Sequence, residues 1–144
     1  MNTEFKTYLI SMGLDSEVTL KNADKILGIA SKLCPEEIKD IFISEFRKDN
    51  GSREYESMWL FSDNFILEVR NFRSEIDIDM SNNKPIVYFR VQMKGFDYEN
   101  DPGELSRVSL EAGNADSVIF MMKASWTNCN KLVSLIGKYI KAGL

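Results

Sequence analysis

The sequence predicts an α+β fold in which N-terminal helices precede a seven-stranded antiparallel barrel or sandwich that a C-terminal helix caps. Apolar residues recur at helical spacing before residue 35 and after residue 127, whereas between them they alternate with polar residues, as in half-buried strands. Clusters of turn-forming residues separate the alternating runs. At 144 residues, with 44% hydrophobic and 28% charged side chains, the chain suits one globular protein. We divide it into a helical extension, residues 1–35, and a β domain with its capping helix, residues 36–144.

Two amphipathic helices are predicted before the first strand. The first ends at Gly13 and has one apolar face, formed by Phe5, Tyr8, Leu9 and Met12. Pro35 ends the second, whose apolar stripe comprises Ala23, Ile26, Leu27, Ala30, Leu33 and Cys34. Short helices of this kind cannot bury a stripe alone, so we expect both to dock on something larger.

Seven short strands are predicted between residues 38 and 124. Asn50-Gly51 suits the tight turn of the first hairpin, because both residues tolerate a positive φ. We expect the apolar side chains of the fourth and fifth strands to face the core. These are Ile76, Ile78, Met80, Val87, Phe89, Val91 and Met93. The predicted strands cover residues 41–46, 55–61, 65–72, 76–80, 87–93, 105–111 and 118–124.

The last segment is predicted to be an amphipathic helix. Thr127 is a suitable N-cap, and the apolar face that follows comprises Cys129, Leu132, Val133, Leu135, Ile136, Tyr139 and Ile140. Large apolar side chains nearby and in the strands are expected mostly in the core, and any that prove exposed would mark a partner surface. These are Trp59, Trp126, Met121 and Met122.

This order of elements resembles the pleckstrin-homology-like superfold over residues 38–142. In that superfold two orthogonally packed sheets form a partly open barrel, and the final helix plugs one end. The hairpin Met58–Glu68, with Leu60-Phe61-Ser62-Asp63 at its centre, is similar to the Leu-Phe-Thr-Asp-type hairpin of bacterial members. The alternative is a helix-grip fold, which places two helices after the first strand. Here both candidate helices come before any clear strand.

The resemblance implies a candidate site for an anion or a lipid headgroup on the first hairpin. Phosphoinositide-binding members carry a basic pattern there, and this chain matches it in part, since the pattern ends at Tyr55 rather than at a cation. The implied site comprises Arg47, Lys48, Arg53, Arg70 and Arg73. Acidic neighbours dilute the positive potential, so we expect weak lipid binding at best. They are Asp49, Glu54 and Glu56.

Most catalytic and metal chemistries lack their residues in this chain. It has no histidine, which excludes Ser-His-Asp and Cys-His catalysis and imidazole-bound zinc. Cys34 and Cys129 have no metal or redox spacing and are expected to be buried, reduced thiols. Residues 97–104 match a calcium loop only in part, and Val108 stands where the bidentate carboxylate belongs. We therefore expect no catalysis, no metal and no cofactor.

The predicted function is a non-catalytic, cytoplasmic module that binds a protein or peptide, with a homo-oligomer left open. No signal-peptide pattern opens the sequence, and it contains no run of 18 apolar residues. A net charge of −4 argues against a nucleic-acid partner. Two alternatives remain, namely peripheral binding of anionic lipid through the first hairpin, and carriage of a small hydrophobic ligand in a helix-grip cavity.

Overall fold

The computed structural model describes residues 1–48, 50–96 and 105–141, apart from the side chain of Phe96. It confirms an α+β protein with two antiparallel sheets, in the orders β1-β2-β3-β4 and β5-β6-β7. A π-helical turn, Ile136–Ile140, continues the last helix. The elements are α1 Thr3–Ser11, α2 Glu17–Leu33, β1 Asp40–Arg47, β2 Arg53–Phe61, β3 Ile66–Arg70, β4 Asp79–Asn82, β5 Ile86–Phe96, β6 Leu105–Asn114, β7 Ile119–Ser125 and α3 Asn128–Leu135.

The chain divides into two compact units that exchange segments along the sequence. Unit 1 comprises Met1–Ile43 and Glu56–Asn82, and unit 2 comprises Ser44–Tyr55 and Asn83–Leu144. The tip of the first hairpin therefore belongs to the same unit as β5, β6, β7 and α3.

In unit 1 hydrogen bonds connect α1 to β1 and α2 to the turn that follows β3. The Ile43 amide donates to the Tyr8 hydroxyl at 2.9 Å. The buried Asn22 amide donates to the carbonyl oxygens of Phe72 and Ser74, at 3.2 and 2.8 Å. The apolar stripes face inward much as predicted, with Phe5, Leu9, Met12, Ala23, Ile26, Ala30 and Cys34 buried. Leu33, in the last turn of α2, is exposed instead.

The two central strands of the first sheet are buried on both faces. Five consecutive residues of β2, from Ser57 to Phe61, are buried, and so are the first four residues of β3. The register places Leu60 opposite Leu67 and Trp59 opposite Glu68. A strand covered on both sides needs no alternation, which explains the continuous apolar run at the end of β2.

The predicted strand over residues 76–80 is wrong. The observed strand β4 begins at Asp79 and pairs Met80 with Val69, whereas Ile76 is 97% exposed. The side chain of Ser74 accepts hydrogen bonds from the amides of Ile76 and Asp77, at 3.2 and 3.1 Å. This local turn uses the amides that a ladder would need, so the alternating pattern there does not form a strand.

In unit 2 the final helix covers β6 and β7. Buried side chains of α3 and its π-helical turn face the sheet, whose covered surface comprises Val108, Leu110, Ala112, Phe120, Met122 and Ala124. This agrees with the predicted amphipathic C-terminal helix. Thr127, however, has φ −61° and ψ −27° and makes no capping hydrogen bond with its side chain. An N-cap needs extended backbone, so that prediction is wrong.

The predicted burial of β5 is also wrong. Val87 and Met93 are 57% and 56% exposed, and Phe89 and Val91 are half-buried. The helix α3 contacts β6 and β7, and β5 lies at the edge of its sheet. The apolar side of β5 therefore extends beyond the cover that the helix provides.

No strand ladder closes the two sheets into a barrel in the part of the chain that the structure describes. Side chains of β1 meet β7 instead. The Lys123 amide donates to the Ser44 hydroxyl at 2.9 Å, and the Ser125 amide donates to the Glu45 carboxylate at 2.8 Å. These contacts satisfy two amides of β7 without adding a strand beside it.

Tyr88 on β5 lies over Gly113, its partner on β6. A Cβ atom at Gly113 would lie only 2.4 Å from Cε1 of Tyr88, so the glycine leaves room for the ring. Desolvation, the charge of Glu111 and a hydrogen bond to Glu111 raise the pKa of the Tyr88 phenol above 10.0, against a smaller lowering by Arg90.

We expect Glu111→Gln to lower the pKa of Tyr88 towards its ordinary value, because the substitution removes the negative charge beside the phenol. Some elevation should remain, since desolvation is the largest cause. An alkaline titration followed by tyrosinate absorbance measures this shift, and Tyr88→Phe identifies which transition belongs to Tyr88. An unchanged titration in Glu111→Gln would contradict the assignment.

Candidate anion-binding cleft

Unit 2 contains a cleft of about 480 Å³ beside the first hairpin. Among the described residues its lining carries four cationic side chains and no carboxylate. The cations are Arg47, Lys48, Lys94 and Arg107. The rest of the lining is polar or aromatic and comprises Gly51, Ser106, Ser125 and Trp126. This arrangement can attract an anion and offer it several hydrogen-bond donors at once.

The pairing of β5 with β6 places two of these cations together. Lys94 and Arg107 are register partners on the adjacent antiparallel strands, and Ser125 of β7 is the register partner of Arg107 on its other side. Like charges directly opposite one another destabilise a strand pair. An anion between them would turn that repulsion into attraction.

Arg47 supplies the donor with the clearest need of a partner. Its Nε atom is buried, and no hydrogen-bond acceptor for it is present in the described residues. The Arg107 Nη2 donates to the main-chain carbonyl of Arg47 at 3.1 Å, which places the Arg107 guanidinium beside the main chain of Arg47. Leaving a buried donor unpaired costs about 1–3 kcal/mol, so a shift of the Arg47 side chain that brought Nε to an acceptor would be favoured.

Trp126 is an exposed aromatic side chain in the lining of the same cleft. It is 43% exposed and has φ 51°, a left-handed backbone conformation that is uncommon for a large side chain. Its amide donates to the Ser106 carbonyl at 3.1 Å, and the Ser106 hydroxyl donates to the Lys94 carbonyl at 3.0 Å. The sequence predicts that an exposed tryptophan marks a partner surface, and this one adjoins the cations.

The structure brings two of the five predicted site residues, Arg47 and Lys48, into this cleft. Lys48 also forms an exposed ion pair with Glu54, a kind of contact that contributes little stability. Arg53 lies beside a buried carboxylate instead, with its Nε atom 3.7 Å from Oε2 of Glu45. Its charge is thereby partly neutralised.

Arg70 and Arg73 belong to unit 1. Arg70 is on β3, and its guanidinium contacts the Glu68 carboxylate, with Nη2 at 3.1 Å and Nε at 3.2 Å from Oε1. Arg73 is exposed in the turn that follows β3. The participation of these two residues in anion binding remains a prediction.

The partial calcium-loop match and the two cysteines can be compared with the structure to different extents. The partial calcium loop over residues 97–104 lies outside the described residues. Elsewhere, within residues 1–48, 50–96 and 105–141, no group of three acidic or thiol side chains is placed to hold a metal ion. Cys34 and Cys129 are both buried and neither forms a disulfide, as predicted.

Comparison with known proteins adds no family to these observations. No family model, curated protein or solved structure matches the chain. Within the described ranges, none of the helices combines the length and the apolar character needed to cross a membrane. The interpretation of the cleft therefore depends on its own residues.

Proposed function

We propose that this protein is a non-catalytic binding module that holds an anionic group of a protein partner in the cleft of unit 2. The observation that carries the proposal is the buried Nε of Arg47, for which the described residues offer no acceptor. Lys94 and Arg107, opposite each other in the same lining, supply further cationic donors. In the pleckstrin-homology-like superfold, which the element order resembles, the first hairpin is also where anions bind, and assignment to that superfold is part of this proposal.

A phosphate group suits the donors better than a single carboxylate does. Its three terminal oxygens accept several charge-assisted hydrogen bonds, and guanidinium groups match them in a two-pronged geometry. The hydroxyls of Ser106 and Ser125 already donate to the Lys94 carbonyl and the Glu45 carboxylate, so the cations are the donors for the phosphate. We therefore assign a phosphorylated segment of a protein as the ligand class.

A protein-borne phosphate is favoured over a lipid headgroup by the charge of the whole chain. Attraction to an anionic membrane amounts to roughly 1 kcal/mol for each basic residue near the surface, and it needs several such residues. This chain carries a net charge of −4, which opposes long-range attraction to a negative surface. A concave site for one phosphate depends only on the local cations.

A hydrophobic-ligand carrier has little support from the last helix. Leu110, Met122 and Leu132 are each 0% exposed where α3 meets β6 and β7. These side chains occupy the space that a helix-grip cavity would need.

We expect Arg107→Gln to weaken the binding of inorganic phosphate at least about tenfold, because a hydrogen bond to a charged group contributes about 1.5–3 kcal/mol. Trp126 is exposed in the cleft whereas Trp59 is buried, so a phosphate-dependent change in tryptophan emission that Trp126→Phe abolishes reports on the cleft. Titrations at constant ionic strength, with chloride as the reference anion, measure the affinity.

Lys138→Gln is the matched control, since Lys138 is an exposed cation in the π-helical turn of the same unit and does not line the cleft. Equal losses in both variants would contradict the cleft, because they would show only a general charge effect. A peptide tested with and without a phosphoserine, beside phosphatidylcholine vesicles with and without phosphatidylserine, identifies the source. Binding to the anionic vesicles and not to the phosphopeptide would contradict the assignment of a protein partner and would identify a lipid headgroup as the ligand.

A further inference from the structure

The strand β5 is long and exposed for the edge of a sheet. It spans eleven residues, from Ile86 to Phe96, and its partner in the sheet is β6. Proteins usually shorten or cover such edges, because the outward row of amide and carbonyl groups can pair with another strand. Here the side chains of Val87, Tyr88 and Met93 are exposed along that edge.

The opposite edge of the same sheet is protected. The amides of Lys123 and Ser125, on β7, donate to the hydroxyl of Ser44 and the carboxylate of Glu45. Those acceptors occupy the groups that an added strand would need. The open edge of the three-stranded sheet is therefore β5, in the part of unit 2 that the structure describes.

We propose that β5 pairs antiparallel with β5 of a second copy of this chain, about a two-fold axis at Val91. The two three-stranded sheets then form one continuous sheet of six strands. Apolar side chains meet on one face, where Val91 lies opposite Val91 of the copy and Phe89 lies opposite Met93 of the copy. This pairing covers the apolar side of β5 that α3 leaves uncovered.

The charges on β5 select this register. With the axis at Val91, the regular stretch from Tyr88 to Lys94 is paired over its whole length, Arg90 lies opposite Gln92, and Lys94 lies opposite Tyr88. Moving the axis to Arg90 sets two arginines opposite each other, and moving it to Gln92 sets Arg90 opposite Lys94. Like charges directly opposite destabilise a pair of strands.

Shifting one β5 strand by an odd number of residues relative to the other is excluded for a different reason. Phe89, Val91 and Met93 share one face of β5, and the polar side chains of Arg90, Gln92 and Lys94 share the other, whereas Val87 lies at a break in the register of β5 on β6. Side chains alternate with a period of two, so an odd displacement sets the apolar face of one copy beside the polar face of the other. The second copy is thus matched to β5 in both polarity and charge.

Cysteine cross-linking tests the position of the axis. In the proposed pair the two Val91 Cα atoms are about 4.5–5.5 Å apart, within the range that a disulfide spans. The two Val87 Cα atoms are eight residues apart along the strands, or about 27 Å. Because Cys34 and Cys129 are buried, mild oxidation should report on the introduced thiol. We expect Val91→Cys to form a covalent dimer and Val87→Cys to remain monomeric.

Sedimentation equilibrium of the full chain tests the association without a cross-link. We expect a monomer–dimer equilibrium whose dissociation constant rises at least tenfold in Val91→Lys, because two lysines then face each other on the axis. Ile119→Lys, at an exposed position of β7, is the matched control and should leave the constant unchanged. Far-UV circular dichroism shows whether each variant folds.

Two results would overturn the proposal. One is a wild-type chain that sediments as a monomer at every concentration, and the other is equal cross-linking of Val91→Cys and Val87→Cys, which indicates random collision. If the chain remains monomeric and β5 binds an added extended peptide, the strand that pairs with β5 belongs to a peptide and not to a second copy. None of these results depends on phosphate binding, so failure here leaves the cleft to be judged by its own titration.

Discussion

Replacing Glu45 by alanine is expected to lower the free energy of unfolding by about 3 kcal/mol, because the buried donors around it lose their acceptor. The Glu45 side chain is 0% exposed. Its Oε1 atom accepts from the Ser125 amide at 2.8 Å and from the Asn128 side chain at 3.3 Å, and its Oε2 atom accepts from the Ser125 hydroxyl at 3.1 Å. One carboxylate thus joins β1 to β7 and to the start of α3.

Urea unfolding followed by far-UV circular dichroism measures the change. Glu54→Ala is the matched control, since Glu54 is an exposed carboxylate on the same hairpin whose ion pair with Lys48 contributes at most about 1 kcal/mol. Glu45→Gln retains one acceptor oxygen and should fall between the two. If Glu45→Ala were no more destabilising than Glu54→Ala, the carboxylate would not be the link between these elements.

The second large effect is expected at Trp59, where substitution by alanine should reduce the free energy of unfolding by about 4 kcal/mol. Trp59 lies on β2, in a sheet buried on both faces, and is 0% exposed. Removing its ring deletes a large apolar contact surface and leaves a cavity that neighbouring strands cannot fill without shifting.

The chain provides its own control in Trp126, which is 43% exposed. Trp126→Ala removes the same side chain from a solvent-facing position and should change the stability by less than about 0.5 kcal/mol. Circular dichroism rather than tryptophan emission is the appropriate signal, because both variants lose a fluorophore. Similar losses in the two variants would contradict the assignment of Trp59 to the core.

The sequence predicts the fold class because the period of its apolar residues is set by local geometry. The stripe of α2 and the alternation along β3 are visible without any knowledge of what covers them. Whether a strand is covered is a tertiary property, and for that reason the burial of Val87 and Met93 was predicted wrongly. The apolar pattern of β5 is the same whether a helix, a second copy or solvent lies beside it.

The failure over residues 76–80 has a more local cause. Ile76, Ile78 and Met80 alternate with acidic residues as a strand requires. The Ser74 side chain, however, accepts hydrogen bonds from the amides of Ile76 and Asp77. A serine side chain competing for the main chain is a weak signal in a sequence, because most serines do not act in this way.

The sequence predicts only two of the four cations that line the cleft. Arg47 and Lys48 stand beside a hairpin turn, where the resemblance implies an anion site. Lys94 and Arg107 are thirteen positions apart in the sequence, and they become neighbours only through the register of β5 on β6. Loops as long as residues 97–104 do not fix a register, so this pairing could not be inferred from the residues alone.

The exchange of segments between the two units limits how the gene can be divided. A fragment that ends at Asn82 retains the hairpin tip Ser44–Tyr55 but deprives it of Lys123 and Ser125, whose amides meet it in the intact chain. The complementary fragment keeps those amides without their acceptors. Neither unit can be expressed as one uninterrupted stretch of the natural polypeptide, and isolating either would require a new connection between its two segments.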